Sequence, residues 1–337
     1  MEIQAALESG KFTVSELTAA INNLVVPRTR IAELKLFKEK GIRKTTVDIE
    51  FKDGQIQLVE DVERGEDGKP LDDPNRKIYT FRAVHLPVPG SVDADDVQNT
   101  RAFGTEDELE SLQSVIDEKL DIARQSIDAT IEYFRLGAIF GKVYGKKGHV
   151  IVDLFKVFGI KETDGEDAVD FNNPLRSQLL QVKRNSEKNQ KGIKAKSYRA
   201  FCRPEFFDQL LEDPSFEKAF ERQNNGAALR DDVRTGVFWQ NVWWEEYDTS
   251  IGDKDLMPEK YGAVVFPEDK PNMFLTRFAP ANYNETVNTL GLPYYSNAEP
   301  KKMNKGVDLE SQSNPINVCT SPLAVRRIKF TPKTEAA

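Results

Sequence analysis

The feature that most constrains this chain is one amphipathic pattern across residues 105–140. Thr105 followed by Glu108 forms a capping box, and neither proline nor glycine interrupts the sequence before Gly137, which predicts that a helix begins at Thr105. Apolar residues then recur at every third or fourth position, at Leu109, Leu112, Ile116, Leu120, Ala123, Ile127, Ile131 and Phe134. We therefore predict a single spine helix with one apolar stripe along roughly 30 residues, or about 45 Å at 1.5 Å per residue.

Two extended segments precede this helix and flank a very polar stretch. Apolar and polar residues alternate on both sides of Asp53-Gly54, which predicts a tight β-hairpin that contains Val47, Ile49, Phe51, Ile56 and Leu58. Residues 62–77 are too rich in charge, glycine and proline to bury themselves, whereas residues 78–89 favour a strand again. We predict a long projecting hairpin over residues 56–90, whose open edges need a partner.

The other helix and strand patterns alternate along the chain. Thr13 and Glu16 form a second capping box for a short helix that ends before Pro27. A further amphipathic helix is predicted over residues 174–188, a buried strand over residues 198–202, and then two short helices separated at Pro214. This alternation predicts a second α/β layer, and the fold class is α+β.

Charge and composition exclude several classes of protein. The net charge is −8 over 337 residues, so the average field repels nucleic acid and a general DNA-binding protein is not expected. Cys202 and Cys319 lie far apart without CxxC spacing, which argues against a disulfide framework or a cysteine-based zinc site. The start MEIQAALESG lacks the pattern of a signal peptide and no apolar run approaches about 18 residues, so we expect the chain to stay soluble in the cytoplasm where it is made.

Residues that could carry chemistry are few, and each has a structural explanation. The cluster that contains Gly141, Lys142, Gly145, Lys146 and Lys147 departs from the phosphate-loop pattern, which needs four residues between its glycines and Ser or Thr after the lysine. We interpret it as a surface turn, because glycine and lysine cluster far more often in surface turns than in nucleotide-binding loops. His85 and His149, the two histidines, are about 60 residues apart and give no local support for a metal site.

Two further clusters are better explained by folding than by ligands. Acidic residues gather at 93–96 and 106–108, but their spacing differs from that of a calcium-binding loop, and the second group stabilises the start of a helix. The second cluster is aromatic and alternates with polar residues, which is typical of a strand that packs in a core or between subunits. It contains Phe238, Trp239, Trp243, Trp244 and Tyr247. We expect no catalytic residue, no bound metal and no cofactor.

Three segments resemble a known family, in the same order along the chain. The strongest is RFAPANYNETVNTLGLPYYSNAEPKKMNKGVDLESQSNPINVCTSPLAVRRI, residues 277–328, which resembles the C-terminal signature of the lambda-like tailed-phage major capsid protein E family. VPRTRIAELKLFKEKGIRKTTVDIEFKDGQIQLV, residues 26–59, and RPEFFDQLLEDPSFEKAFERQ, residues 203–223, are similar to the family's N-terminal region and internal helical motif.

The resemblance implies the Hong Kong 97-like capsid fold and a division of the chain. The expected parts are an N-terminal arm, a hairpin with an extended loop, a peripheral domain with the spine helix, an axial α/β domain, and C-terminal strands that return to the peripheral domain; they correspond to residues 1–45, 46–92, 93–194, 195–300 and 301–337.

The resemblance also implies a function and partners. A family member would be a non-enzymatic virion protein whose copies form the pentamers and hexamers of an icosahedral head around double-stranded DNA, without sequence-specific binding. Scaffold, portal and decoration proteins would be further partners. Candidate inter-subunit contacts are the basic and aromatic residues of the arm and loop, namely Arg28, Arg30, Arg64, Arg76, Tyr79, Phe81 and Arg82, although solvation alone would explain any one of these charges.

Two alternatives remain open from the sequence. A cellular compartment shell of the same fold, similar to an encapsulin, would enclose enzymes, and the C-terminal signature argues against it. A cytosolic hydrolase would need a site near His149 and Asp153, with a pocket that gathers titratable groups.

Overall fold

The structure is a computed structural model that describes residues 13–25, 27, 29–52, 76–97, 112–190, 194–223, 234, 236–247, 249–251 and 254–334. The chain divides into two compact units. The first unit comprises Met1–Asp48, Thr80–Arg135 and Leu275–Asn317, and the second comprises Ile49–Tyr79, Leu136–Phe274 and Val318–Ala337. Both combine helices and strands, as the predicted α+β class requires.

The α-helices of the described residues, in chain order, are α1 Val14–Asn23, α2 Arg30–Glu33, α3 Ala94–Val97, α4 Leu112–Phe140, α5 Leu154–Phe158, α6 Leu175–Lys188, α7 Pro204–Leu211 and α8 Pro214–Gln223. Short 3₁₀ turns occur at Glu162–Gly165, Asn284–Thr286 and Lys302–Asn304.

The strands of the same residues are β1 Lys38–Gly41, β2 Thr46–Lys52, β3 Arg76–Arg82, β4 Leu86–Asp93, β5 Lys142–Tyr144, β6 Val150–Asp153, β7 Glu166–Asp170, β8 Tyr198–Cys202, β9 Val237–Trp239, β10 Val242–Glu246, β11 Ser250–Ile251, β12 Lys254–Asp255, β13 Ala263–Pro267, β14 Phe274–Phe278, β15 Tyr295–Pro300, β16 Gly306–Ser313, β17 Pro315–Cys319 and β18 Arg326–Thr331. The larger sheets have the orders β7-β18-β13-β8-β10-β9, β15-β16-β4 and β1-β14-β17.

In the first unit, α1 and the long helix α4 share a core with the β15-β16-β4 sheet. Leu17 and Ile21 of α1 are buried in one cluster with Leu120 of α4, Val92 of β4 and Val307 of β16. The Thr13 hydroxyl accepts a hydrogen bond from the Glu16 amide at 3.3 Å, so the predicted cap of α1 is confirmed. Polar residues face outward from α1, as expected of an amphipathic helix packed against a sheet.

In the second unit, helices α6, α7 and α8 cover one face of the six-stranded sheet. Their apolar residues form one buried cluster with alternate residues of the strands, among them Tyr198, Ala200 and Cys202 of β8. This alternation follows from the two-residue period of a strand. The predicted helix over residues 174–188, the strand over 198–202 and the helix break at Pro214 are confirmed.

The long helix α4 ends where the sequence predicts. Ile116, Leu120, Ile127 and Ile131 are each less than 4% exposed, which confirms the apolar stripe. The helix stops at Phe140 because Gly141 adopts a φ of 92°, a left-handed conformation that favours glycine. The predicted start, with Thr105, Glu108 and Leu109, lies outside the described residues. No described helix combines the length and apolar content needed to cross a membrane.

The hairpin region differs from the prediction at its C-terminal side. Strand β2 pairs with β3 in a two-stranded sheet, and residues 53–75, which include the Asp53-Gly54 turn, lie outside the described residues. Leu86–Asp93 does not continue the hairpin to residue 90; it pairs with β16, with Val92 opposite Val307 and Val88 opposite Ser311. The long-range partner, more than 200 residues later in the chain, gives β4 a core to pack on that a projecting hairpin lacks.

Strand β18, the last described strand of the chain, lies between β7 and β13 in the six-stranded sheet.

The predicted domain boundaries, including those of the peripheral and axial domains, stay predictions.

Candidate functional site

A buried carboxylate of the long helix α4 binds the N-terminal segment of the first unit. Glu132 is 1% exposed. Its Oε1 accepts a hydrogen bond from the Ile31 amide at 2.8 Å, and its Oε2 accepts one from the Thr29 hydroxyl at 2.7 Å. Since α2 begins at Arg30, the carboxylate satisfies an amide of the first turn of that helix, which has no partner within the helix.

Two arginines of α4 reinforce this attachment. Arg135 forms a salt bridge of 2.5 Å with Glu39 and lies over the ring of Phe37. Arg124 lies 3.7 Å from the ring centroid of Tyr294, donates to Asp128 at 3.1 Å and donates to the Ile21 carbonyl. Around these groups is a cavity of about 600 Å³. The segment from α1 to β1 is therefore held on α4 by partly buried charged groups, and not by apolar packing alone.

In the second unit, one buried arginine connects the end of α4 to the six-stranded sheet. Arg327 of β18 is 0% exposed. Its guanidinium donates to the carbonyl of Phe140, the last residue of α4, at 3.3 Å and to the carbonyl of Glu162, and it lies 4.5 Å from the ring centroid of Phe155. Burial lowers the pKa of Arg327, so these acceptors and the aromatic ring are needed to hold its charge.

A network of ion pairs surrounds this arginine. Glu162 binds Lys142 at 2.6 Å; Glu166 binds Lys260 at 2.6 Å and Lys329 at 2.5 Å. The Tyr261 hydroxyl lies within hydrogen-bond distance of both carboxylates, 3.1 Å from Glu162 and 2.6 Å from Glu166.

The network changes the acidity of its members. Burial alone would raise the pKa of Glu166, but hydrogen bonds from Lys260, Lys329 and Tyr261 outweigh burial and lower it to about 2. The pKa of Glu162 is lowered in the same way by Lys142 and Tyr261. Both carboxylates therefore stay ionised at neutral pH and stabilise the fold instead of exchanging protons.

The residues considered for catalysis are not assembled into a site among those that the structure describes. Cys202 and Cys319 are free thiols, each 0% exposed, and burial raises the pKa of both. The Asp153 carboxylate accepts the Lys156 amide at 3.0 Å as the cap of α5. His85 lies 2.9 Å from Asn314. No group of three or more metal-ligating side chains occurs in the described part of the chain.

The glycine and lysine cluster forms a turn between two short strands, as interpreted from the sequence. Lys142 begins β5, which pairs with β6, and the Gly148 amide donates to the Gly145 carbonyl at 2.9 Å. The side chain of Lys142 is bound to Glu162.

The second acidic cluster, which contains Glu106, Asp107 and Glu108, lies outside the described residues.

The aromatic group packs mainly in the core of the second unit. Trp239, Trp244 and Tyr247 are buried and contact Phe216, Phe206 and Phe201. Phe238 is 42% exposed because it points away from the core on the edge strand β9. Packing within the chain therefore explains most of the group.

The candidate contact residues fall into three sets. Arg28 and Arg64 lie outside the described residues, as does the side chain of Arg76, whose backbone begins β3. Phe81 is 3% exposed and the Tyr79 ring lies edge-on to Phe158 at 4.9 Å, so these two pack within their own chain. Arg30 and Arg82 are on the surface, and Arg30 forms an exposed pair with Glu33 at 3.2 Å.

Sequence reasoning missed the buried charges and one apolar surface. Glu132, Arg135 and Arg327 occupy positions that helix and strand patterns predict to be solvated. In the loop before β15, Val287, Leu290 and Leu292 are 63%, 55% and 42% exposed. The run VNTLGL carries no periodic signal, because the segment has no regular structure.

Comparison with known proteins gives consistent results. Residues 13–330 match the family described as phage major capsid protein E. The chain is 24% identical over 350 residues to the major capsid protein of Salmonella phage Felix O1, a match that covers 94% of this chain and 95% of the relative. It is 28% identical over 313 residues to the major capsid protein of Pseudomonas phage KPP10, covering 85% and 88%.

The fold of this chain is also similar to that of solved capsid structures. The mature capsid of bacteriophage PhiM1 is similar with a TM-score of 0.53 at 12% identity, over 93% of this chain and 90% of that one. At this identity the likeness concerns the fold alone.

Proposed function

The chain belongs to the phage major capsid protein E family, and from this premise we propose that its copies form the pentamers and hexamers of an icosahedral head shell that encloses packaged double-stranded DNA. The chain is the major capsid protein of a tailed phage and a component of the virion. The single observation that carries the proposal is the family match across residues 13–330.

The Hong Kong 97-like fold that the resemblance predicted is confirmed by the capsid structures to which the chain is similar. The fold places a long helix, a six-stranded sheet and an extended β2-β3 ribbon in one subunit. Large shells need many copies of one contact, and repetition makes weak contacts collectively strong.

The ribbon supports contact with a neighbouring copy. Strands β2 and β3 form a sheet of two strands, and a sheet of two strands leaves backbone groups open at its edges. Residues 62–77, which follow β2 in the chain and include the first two residues of β3, have the charged sequence VERGEDGKPLDDPNRK. We propose that the strands flanking this segment lie over an adjacent subunit, where strand pairing and buried apolar area at about 25 cal/mol per Å² stabilise them.

Surface arginines are the contact residues within this proposal. Arg82 at the end of β3 is exposed and Arg30 at the start of α2 is half-buried, so each can reach an acidic group of a neighbour. Arg28, Arg64 and Arg76 stay candidates from the sequence. Tyr79 and Phe81 act indirectly, since their packing within the chain fixes the base of the ribbon.

Partners other than the chain itself follow from the family. A scaffold, a portal and a decoration protein are proposed partners of assembly. The net charge of −8 suits a wall around DNA that must not bind its contents tightly. We also propose that the subunit has no enzymatic activity, which agrees with its structural family.

Deletion of residues 62–77 tests the shell mechanism. Negative-stain microscopy of the full chain should show closed icosahedral particles, and the deletion should abolish them while circular dichroism keeps the helical signal. Arg82→Glu should weaken assembly more than Arg184→Glu, the same charge change at an exposed position of α6. Particles unaltered by the deletion would remove the basis of the ribbon contact.

The alternatives have separate readouts. A compartment shell predicts enzyme cargo in purified particles, whereas a phage head predicts DNA in particles from infected cells. A hydrolase with a site at His149 predicts an activity that the His149→Ala variant loses while it still assembles.

A further inference from the structure

A rigid loop of the first unit exposes three large apolar side chains. Val287, Leu290 and Leu292 lie within six residues of one another and are 63%, 55% and 42% exposed. Soluble proteins rarely expose a contiguous apolar surface without a partner for it.

The loop is fixed by hydrogen bonds to its surroundings. The Gly291 amide donates to the Ile42 carbonyl at 2.9 Å, and the Leu292 amide donates to the Tyr295 hydroxyl at 2.8 Å. A Cβ at Gly291 would lie 2.0 Å from the Phe278 carbonyl oxygen, so the backbone is packed as closely as glycine permits. The exposed leucines are therefore held in place before any partner arrives.

A groove runs between this loop and α1. Its cavity is about 670 Å³, and its walls include Val14 and Ala19 of α1 as well as Leu290, Leu292 and Glu285 of the loop. Glu285, and Glu16 on the first turn of α1, are exposed. The groove exposes more apolar than polar surface, although polar side chains such as Thr18, Asn22 and Thr289 also line it. The Glu285 carboxylate belongs to its wall, and Glu16 follows the lining residue Ser15 in α1.

The opposite end of the β15-β16 hairpin has the complementary properties. The turn between these strands has the sequence KKMNK, residues 301–305. Met303 is 88% exposed at a φ of 62°, a left-handed conformation that non-glycine residues rarely adopt. Lys302 and Lys305 are also exposed, so the turn presents one apolar side chain between positive charges.

In one chain, strand β15 separates the turn from the 285–292 loop that forms one wall of the groove. Strand β15 begins at Tyr295, which lines the groove, and ends at Pro300, next to the turn. At about 3.3 Å per residue the strand separates the two by roughly 16 Å. An apolar side chain at one end of β15 and the exposed apolar loop wall of a groove at its other end are suited to contact between copies.

We propose that the 301–305 turn of one copy inserts Met303 into the groove between α1 and the 285–292 loop of a second copy, with Lys302 and Lys305 facing Glu285 and Glu16. The inference rests on the proposed function and adds to it a specific contact. Such a contact joins two different surfaces, and head-to-tail contacts of this kind close into rings when the rotation between copies is right.

Disulfide trapping tests the contact directly. The native thiols Cys202 and Cys319 are buried, so introduced cysteines dominate the reaction. In assembled particles of the full chain, the double variant Met303→Cys with Leu290→Cys should give, on mild oxidation, a ladder of covalent multimers on a denaturing gel. Neither single variant should do so, and Val150→Cys with Leu290→Cys, which uses an exposed position of the second unit, is the matched control.

The outcomes separate this contact from the proposed function. Particles without a ladder, or a ladder equal to that of the control, overturn the contact and leave the shell intact. A dimer formed by Met303→Cys alone would indicate a symmetric contact and would also overturn it. Failure of the unsubstituted chain to form particles would instead count against the proposed function.

Charge reversal supplies a second readout that needs no cysteine. Lys302→Glu and Glu285→Lys should each reduce the yield of particles, and the two together should restore it, because the pair regains opposite signs. A double variant as defective as the worse single one contradicts the pairing.

Discussion

The carboxylate of Glu132, in the middle of the long helix, accepts a hydrogen bond from the backbone amide of Ile31, 101 residues earlier in the chain. Both residues are buried, at 1% and 0% exposure. The bond fixes the N-terminal segment of a shell subunit at one point of α4. Because a buried carboxylate that loses its hydrogen-bond donors is unfavourable by about 1 to 3 kcal/mol or more, the segment can leave this position only at a considerable cost.

Glu132→Ala should therefore loosen the N-terminal segment. We expect a loss of about 2 kcal/mol or more in the free energy of unfolding, because both the Ile31 amide and the Thr29 hydroxyl lose their acceptor. Hydrogen exchange should show faster exchange at Ile31. Glu118→Ala, at an exposed position of the same helix, should change neither quantity, and equal effects of the two substitutions would contradict the role of Glu132.

The two thiols of the chain should be unreactive in the folded subunit. Cys202 and Cys319 are fully buried and burial raises the pKa of both, that of Cys319 to about 12. A thiolate is the reactive form, so an aromatic disulfide reagent should label no cysteine in the native protein and both in denaturant. Rapid labelling of either one under native conditions would contradict the described burial.

The sequence predicted local elements well and long-range partners poorly. The helix that ends at Phe140 follows from its apolar spacing and from Gly141, both of which are local signals. The pairing of β4 with β16 does not, because nothing near Leu86–Asp93 indicates a strand more than 200 residues later. A β-rich segment next to a polar stretch was therefore predicted to belong to the hairpin.

The burial of charged residues was not predicted either, again because their partners lie far away in the sequence. Arg326 and Arg327 are adjacent in a strand, so their side chains point to opposite faces. Strand alternation therefore predicts that at least one of them is exposed to solvent. Arg327 is buried because carbonyls of Phe140 and Glu162 and the ring of Phe155 converge on it. Arg326 is buried too, bound to Asp167 at 2.6 Å. Only the assembled fold brings these acceptors together.

Gly165→Ala tests how tightly Arg327 is held. A Cβ at Gly165 would lie 2.4 Å from Nη2 of Arg327, and the guanidinium cannot move without weakening its bonds to the two carbonyls. We expect a loss of about 1 to 3 kcal/mol in the free energy of unfolding, as for other overpacked sites. Gly90→Ala is the control, since its nearest neighbour would be 3.7 Å away and it should be neutral or stabilising. Thermal denaturation of the unassembled chain measures both, and a stable Gly165→Ala variant would show that the site can relax.

Acid should weaken the second unit through Glu166. Its pKa is lowered from a usual value of 4.5 to about 2 by Lys260, Lys329 and Tyr261, and a lowered pKa in the folded state stabilises the protein at pH values above the unfolded pKa. This stabilisation is lost as the pH falls from about 4.5 towards about 2. At neutral pH it is worth about 1 to 3 kcal/mol, a range that allows for solvent screening of the two partly exposed lysines.

Glu166→Gln removes the titrating group and tests this pH dependence of stability. The variant should be less stable than the unsubstituted chain near neutral pH, and the difference should shrink as the pH is lowered below about 4, because the unsubstituted chain loses the same ion pairs. Glu299→Gln, at an exposed position, should leave the pH profile unchanged. Melting curves of the unassembled chain across this range provide the comparison. A difference that stays constant with pH would mean that Glu166 stabilises the sheet by packing, without the contribution of its charge.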